Sequence, residues 1–203
     1  MSNKLSSVYF FVSWMLYYLI LEFNLDSLHS KPIIIDGRTY NIDYKNSFIK
    51  FKVETIVSSV VNGQINEFYL TSSKQVSNYK KSSLFIFNIK SKSIKIGNLY
   101  IDEAIQSEYY LDSKNHPNIT VKILEMQPTN ILKNFYYITY SIQIKNIEKQ
   151  YREIFYYQRK GNQIIIKGIA NIPKDDFFKW NLILDFVFKE NIQIDFLIIL
   201  KKV

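Results

Sequence analysis

Ile138-Thr139-Tyr140-Ser141-Ile142-Gln143-Ile144-Lys145 decides how the fold is read. Apolar and polar side chains alternate through it without a break. A period of two marks a strand with one buried face, because successive side chains of extended backbone point to opposite sides. The same alternation recurs along the chain. Ser47, Ile49, Phe51 and Val53 share one face against Lys50, Lys52 and Glu54, and Phe85, Phe87 and Ile89 share another. Ile119, Val121 and Ile123 oppose Thr120 and Lys122. Ile164, Ile166, Gly168, Ala170 and Ile172 alternate with Lys167 and Asn171, and Ile192, Ile194, Phe196 and Ile198 with Gln193 and Asp195. Only Asp102 to Tyr110 suits a short helix, with Asp102 placed to cap it. Six or more such strands belong to an all-β fold, a closed antiparallel barrel or a sandwich.

Composition bounds the same answer. The chain has 203 residues, 47% of them hydrophobic and 16% aromatic, with five Gly and four Pro, enough for one well-buried domain and short for two. Its wealth of Ile, Tyr and Phe favours pleated strands. With no cysteine, disulfides, thiolate catalysis and Cys-ligated metals are excluded. With two histidines, a three-histidine metal site is excluded as well.

The first thirty residues have the layout of a secretory signal: Lys4, then an apolar run from Val8 to Leu21 broken by Ser13, then Glu22, Asp26 and His29. Ser27 and Ser30 each offer a cut, although Leu25 and Leu28 stand where a small residue is wanted. Residues 1–30 are therefore read as a signal peptide or an uncleaved N-terminal anchor, and a buried N-terminal helix is the alternative. The first two place residues 31–203, a single domain, in a periplasmic or secreted setting.

The middle of the chain carries a spaced set of motifs. Ser93-Ile94-Lys95-Ile96-Gly97-Asn98 is followed by Asp102-Glu103-Ala104-Ile105-Gln106-Ser107-Glu108-Tyr109-Tyr110 and by His116-Pro117-Asn118-Ile119. Upstream stand Tyr40-x-Ile42-Asp43 with Ser47, Ile49 and Phe51, and Val60-x-x-Gly63 with Asn66-Glu67-Phe68. Downstream stand Ile142 to Lys149 and Lys174-Asp175-Asp176-Phe177. In order and spacing this set resembles the YceI-like, polyisoprenoid-binding, lipocalin-like family. The departures are Ile96 for Thr, Ile105 for Leu, Lys174 for Arg, and Asn146 and Phe178 for Gly, which makes it a divergent member. Asn tolerates positive φ, so Asn146 is expected to hold the family's turn. The resemblance implies an antiparallel lipocalin-like β-barrel of about eight strands, with a short helix between strands, enclosing a long isoprenoid chain.

Small barrels are either filled by side chains or hold one slender ligand. The ligand-binding reading places at the pore the inward faces and the aromatics of the turn motifs: Ile49, Phe51, Val53, Phe68, Phe85, Phe87, Ile89, Tyr109, Tyr110, Val121, Ile138, Tyr140, Ile142, Ile144, Ile164, Ile166, Phe177, Ile194 and Phe196. Apolar walls would hold such a chain by hydrophobic transfer, at about 25 cal/mol per Å². No cofactor, metal or catalytic residue is called for. His116 beside Pro117 reads as a turn histidine, and Asp175-Asp176 as a turn. The net charge of +8 is that of a solvated surface or of a face drawn to an anionic membrane or lipid phosphate. Nucleic acid is not expected, because the basic residues alternate with apolar ones along strands instead of lining an aromatic groove. The alternative function is a structural or interaction protein with a filled core and a basic docking face; an enzyme is the least favoured.

Overall fold

The computed structural model describes residues 32–35, 37–55, 60–72, 85–178 and 188–203, all within one compact unit, Pro32–Val203. The N-terminal signal or anchor falls outside the described residues. Twelve strands are described: β1 (Ile33–Ile35), β2 (Arg38–Ile42), β3 (Phe48–Thr55), β4 (Val60–Ile65), β5 (Phe68–Ser72), β6 (Phe85–Lys90), β7 (Ile94–Lys95), β8 (Asn118–Pro128), β9 (Phe135–Ile144), β10 (Ile147–Lys160), β11 (Gln163–Pro173) and β12 (Phe188–Lys202), with one helix, α1 (Leu99–Gln106). The fold is all-β and antiparallel as expected, but the strands outnumber the expected eight. The excess is mostly short pieces at the edges, such as the two residues of β7, which are too brief to show a period.

The strands form one sheet in the order β5-β6-β8-β9-β10-β11-β12-β3-β4-β7, and this sheet curls into a half-barrel. Strand β12 is long enough to hold β3 along Phe188 to Leu197 and β2 along Leu200 to Lys202. The two ends of the order meet at one corner. There the Glu67 carbonyl accepts the Lys90 N–H at 3.0 Å and the Ser93 hydroxyl at 3.3 Å, while the Asn66 N–H donates to the Ser93 carbonyl at 3.2 Å. Ser93 is thus a buried closure residue, which accounts for its place at the head of the turn motif.

The alternating sets turn inward together, with Ile49, Ile138, Tyr140, Ile142 and Ile198 all buried. The β8–β9 pairing breaks the period once. Ile123 faces Tyr140 and Glu125 faces Thr139, so Leu124 is an extra bulged residue. The bulge shifts the parity and turns Met126 inward in place of Glu125. A fully buried cluster of Ile33, Tyr40, Ile164, Ile198 and Leu200 fastens β1 and β2 to β11 and β12.

Two local expectations are corrected. The helix begins at Leu99, three residues before Asp102, and its cap is Asn98, whose Oδ1 accepts the Tyr100 and Ile101 N–H groups at 3.1 and 3.2 Å. Asp102 is buried in the first turn and accepts the Ile96 N–H at 2.6 Å, pinning the preceding turn to the helix. In the β9–β10 turn the positive φ, 53°, falls on Lys145 and not on Asn146. The Lys145 ammonium donates to the Glu108 carbonyl at 2.6 Å and ties this turn to the loop after α1.

Candidate functional site

Two cavities lie inside the curled sheet. The first, of about 120 Å³, is walled by β3, β4, β6, β8, β9, β10, β11 and β12 and reaches Met126, Tyr156 and Tyr157. The second, of about 200 Å³, lies beneath α1 and is bounded by Phe51, Ile101, Ile105, Tyr110, Phe177 and Phe178. Both present only apolar surface. Ile65, Ile89, Val121, Ile142 and Ile194 line both, so the chambers share one wall. An apolar cavity of order 150 Å³ stays dry and accepts apolar guests, because water inside it finds no hydrogen-bond partner. Among the lining residues Lys174 carries the one charge, at the α1 end.

Most of the sequence-predicted residues come together here. Ile49, Phe85, Phe87, Ile138, Tyr140, Ile166 and Phe196 line the first cavity. Phe51, Val53, Tyr110, Ile144 and Phe177 line the second. Ile89, Val121, Ile142 and Ile194 stand in the shared wall. Three others lie elsewhere. Ile164 is fully buried in the packed cluster, Phe68 is buried against Tyr44 with ring centroids 5.6 Å apart, and Tyr109 is 65% exposed.

Close approaches shape the walls. A Cβ on Gly63 would overlap the Phe51 ring and stand 2.8 Å from the Lys95 carbonyl, so only glycine lets Phe51 lie across β4. Gly168 does the same for Phe155, whose ring meets Phe196 edge-on at 4.9 Å and Tyr140 at 5.6 Å.

One polar device interrupts the apolar interior. The β10–β11 ladder runs from the Lys160–Gln163 pair only as far as Tyr156–Lys167. Beyond it the Glu153 carboxylate accepts the Asn171 N–H at 2.9 Å and the Tyr140 hydroxyl at 2.6 Å, filling the splayed seam. Nearby, Tyr151 donates to Asp176 at 2.8 Å, and Lys149 pairs with the same carboxylate at 3.3 Å. Burial first, and the Glu153 carboxylate second, push the Tyr140 phenol far above its ordinary value; burial and Asp176 do the same to Tyr151. Both phenols are therefore neutral donors.

Sequence reading missed the β10 contribution, namely Phe155, Tyr156 and Tyr157, and it missed Met126 beyond the bulge. Glu153 on the inward face of β10 hides its alternation. Elsewhere the chemistry is sparse. His116 stands 3.8 Å from Asp112 in the loop before β8, and among the described residues no three His, Asp or Glu converge on a metal position.

A family model for the YceI-like domain matches residues 40–200. The chain belongs to the YceI-like family. No curated protein sequence matches it. Among solved structures, BcnA of Burkholderia cenocepacia superposes with a TM-score of 0.65 at 14% identity, over 78% of this chain and 99% of that one. A polyisoprenoid-binding domain from Saccharophagus degradans, implicated in plant cell wall breakdown, gives 0.60 at 12% identity over 81% and 98%. The Campylobacter jejuni YceI protein gives 0.50 at 17% identity over 68% and 84%. At these identities the likeness is one of fold. It carries the YceI-like barrel across sequences in which few side chains are shared.

Proposed function

We propose that this YceI-like chain is an exported, non-enzymatic binding protein that holds one long, apolar, isoprenoid-type lipid within its barrel. The observation that carries the reading is the pair of carbon-walled cavities sharing the wall at Ile142. Rotation of a few branched side chains there would join them into one channel along the barrel, the shape a slender chain requires. The named activity of the Saccharophagus degradans domain, polyisoprenoid binding, supports the ligand class. The Lys4 to Leu21 layout supports export to the periplasm or beyond. A carrier shields such a chain from water by transfer alone, at about 25 cal/mol per Å² covered, and needs no general acid, base or metal.

The test is native mass spectrometry of the purified full chain, followed by organic extraction. A carrier arrives with lipid bound, or takes up a long-chain prenol from micelles at a one-to-one ratio. A chain that is both empty and unable to take up prenol favours the alternative, a filled core whose basic face docks to a partner.

A further inference from the structure

The end of the barrel opposite α1 is built differently from the rest of the surface. There the β8–β9 connection, residues 129–134, presents Ile131 and Leu132 to solvent, 69% and 59% exposed and adjacent in sequence. Three hydrogen bonds close the tip. The Thr129 N–H donates to the Phe135 carbonyl at 3.0 Å, the Phe135 N–H to the Leu132 carbonyl at 3.3 Å, and the Thr129 hydroxyl to the same Leu132 carbonyl at 3.3 Å. Within this closed turn Ile131 and Leu132 lie exposed instead of folded back onto the core. The end of β10 runs alongside, its Tyr157 N–H donating to the Asn134 carbonyl at 2.8 Å, so the β10–β11 tip is the neighbour of this loop.

The charge of the two tips has one sign. From Met126 to Ile147, and again from Ile154 to Lys174, the sequence contains no Asp or Glu, while Lys133, Arg159, Lys160 and Lys167 are present. Tyrosines stand just behind the tips: Tyr136 meets Tyr157 edge-on at 5.7 Å, and Lys167 lies 4.9 Å over the Tyr156 ring. Among the described residues, Glu125 and Glu153 lie down the strands, opposite Thr139 and Ile138, and Asp43 is paired to Lys201. The α1 end also exposes Leu99, Tyr100 and Tyr109, but Glu103 and Glu108 are exposed among them.

We propose that the adjoining β8–β9 and β10–β11 tips form a docking surface for an anionic lipid bilayer. Two apolar side chains enter the acyl boundary, tyrosines sit at the headgroup level and lysines meet the phosphates. Met126, Tyr156 and Tyr157 line the first cavity at the base of these tips, so docking sets that cavity against the membrane. Its purpose rests on the lipid-carrier reading, but its measurement does not.

The chain has no cysteine, so Ile131→Cys gives a single labelling position on the full protein. An environment-sensitive fluorophore there is expected to shift to the blue, and to be shielded from an aqueous quencher, on phosphatidylcholine vesicles containing phosphatidylglycerol. The same label at Leu99→Cys should not respond, which separates the tips from any binding by the apolar stretch Val8–Leu21. Lys133→Glu with Lys160→Glu should weaken the vesicle dependence on the order of fivefold or more for each cation lost. High salt should weaken it too. The proposal is overturned if position 131 stays in water, if both labels respond alike, if phosphatidylcholine alone gives the same shift, or if poly-glutamate reproduces it without lipid, which would assign the surface to an acidic protein. Labelled protein that docks but neither yields extracted lipid nor takes up prenol would defeat the carrier reading and leave the docking surface standing.

Discussion

The ring of Phe155 lies on the backbone of Gly168, where any Cβ would overlap it, and reaches over β11 to Phe196 on β12 at 4.9 Å. The contact stands where the β10–β11 ladder ends, so it fixes how far the two strands splay. Gly168→Ala must push the ring into the first cavity or part the strands. The expected cost is about 1–3 kcal/mol, as for other overpacked cores. A double-mutant cycle with Phe155→Leu checks it. The smaller side chain should recover much of the loss, with a coupling of about 0.5–3 kcal/mol; additive effects would mean that the two residues do not meet.

Glu153 is predicted to be a structural carboxylate. Its removal in Glu153→Ala leaves the Tyr140 hydroxyl and the Asn171 N–H without their acceptor. Of the two, the Tyr140 hydroxyl is buried, and an unsatisfied buried donor costs about 1–3 kcal/mol, whereas removing both partners of a bond costs much less. Chemical denaturation should therefore show Glu153→Ala more damaging than Tyr140→Phe, and part of the loss should vanish when the two are combined.

Stability should fall on the acid side. The Ser141 hydroxyl at 2.7 Å, and Lys122 after it, hold the Glu148 carboxyl below its ordinary value of 4.5. The hydrogen bond from Lys201, with Asn46 after it, does the same for Asp43 below 3.8. A depressed folded-state pKa gives stability that is present above the unfolded value and lost as the pH falls through the folded one. Urea midpoints measured from about pH 7 to about pH 3 should decline mainly below about 4.5, and Ser141→Ala should flatten that decline.

How much of this was legible in the sequence depended on the period. Ile138 to Ile144 read as a half-buried strand and is one, because nothing on its inward face departs from apolar. Strand β10 did not read so, because Glu153 shares a face with Tyr151 and Phe155 and breaks the alternation at the position that fills the seam. The bulge at Leu124 moved Met126 into the cavity wall, a shift that no pattern within one strand shows. Asn98 and Asp102 are both good caps, and only the packing of Asp102 against the Ile96 N–H chose between them. The division between packed core and cavity was not legible at all. Ile164 and Ile166 lie on one face of β11, two residues apart, and are alike in sequence; one is sealed against β12 and the other faces open space.

Ile142 stands in the wall common to both cavities, so one substitution should obstruct both. Ile142→Trp is expected to remain folded at a cost of about 1–3 kcal/mol and to lose most prenol uptake. Uptake unchanged in a folded variant would mean that the ligand does not pass this wall.

Tyr109 and Tyr110 are neighbours with different surroundings, and they should separate in the kinetics of release. Tyr110 lines the second cavity and meets the Phe178 ring at 5.9 Å, joining the loop after α1 to the turn after β11 across the cavity's end. Tyr109 is 65% exposed and lines neither cavity. If the α1 end holds the ligand in, Tyr110→Ala opens it and Phe178→Ala acts alike, since either removes half of one contact. Differences in affinity within one site appear mostly in the dissociation rate. Stopped-flow release of a fluorescent prenol should therefore quicken on the order of tenfold in Tyr110→Ala, the equivalent of about 1.4 kcal/mol, and stay near wild type in Tyr109→Ala. Equal rates in all three folded variants would place release at the opposite end of the barrel, through Met126, Tyr156 and Tyr157.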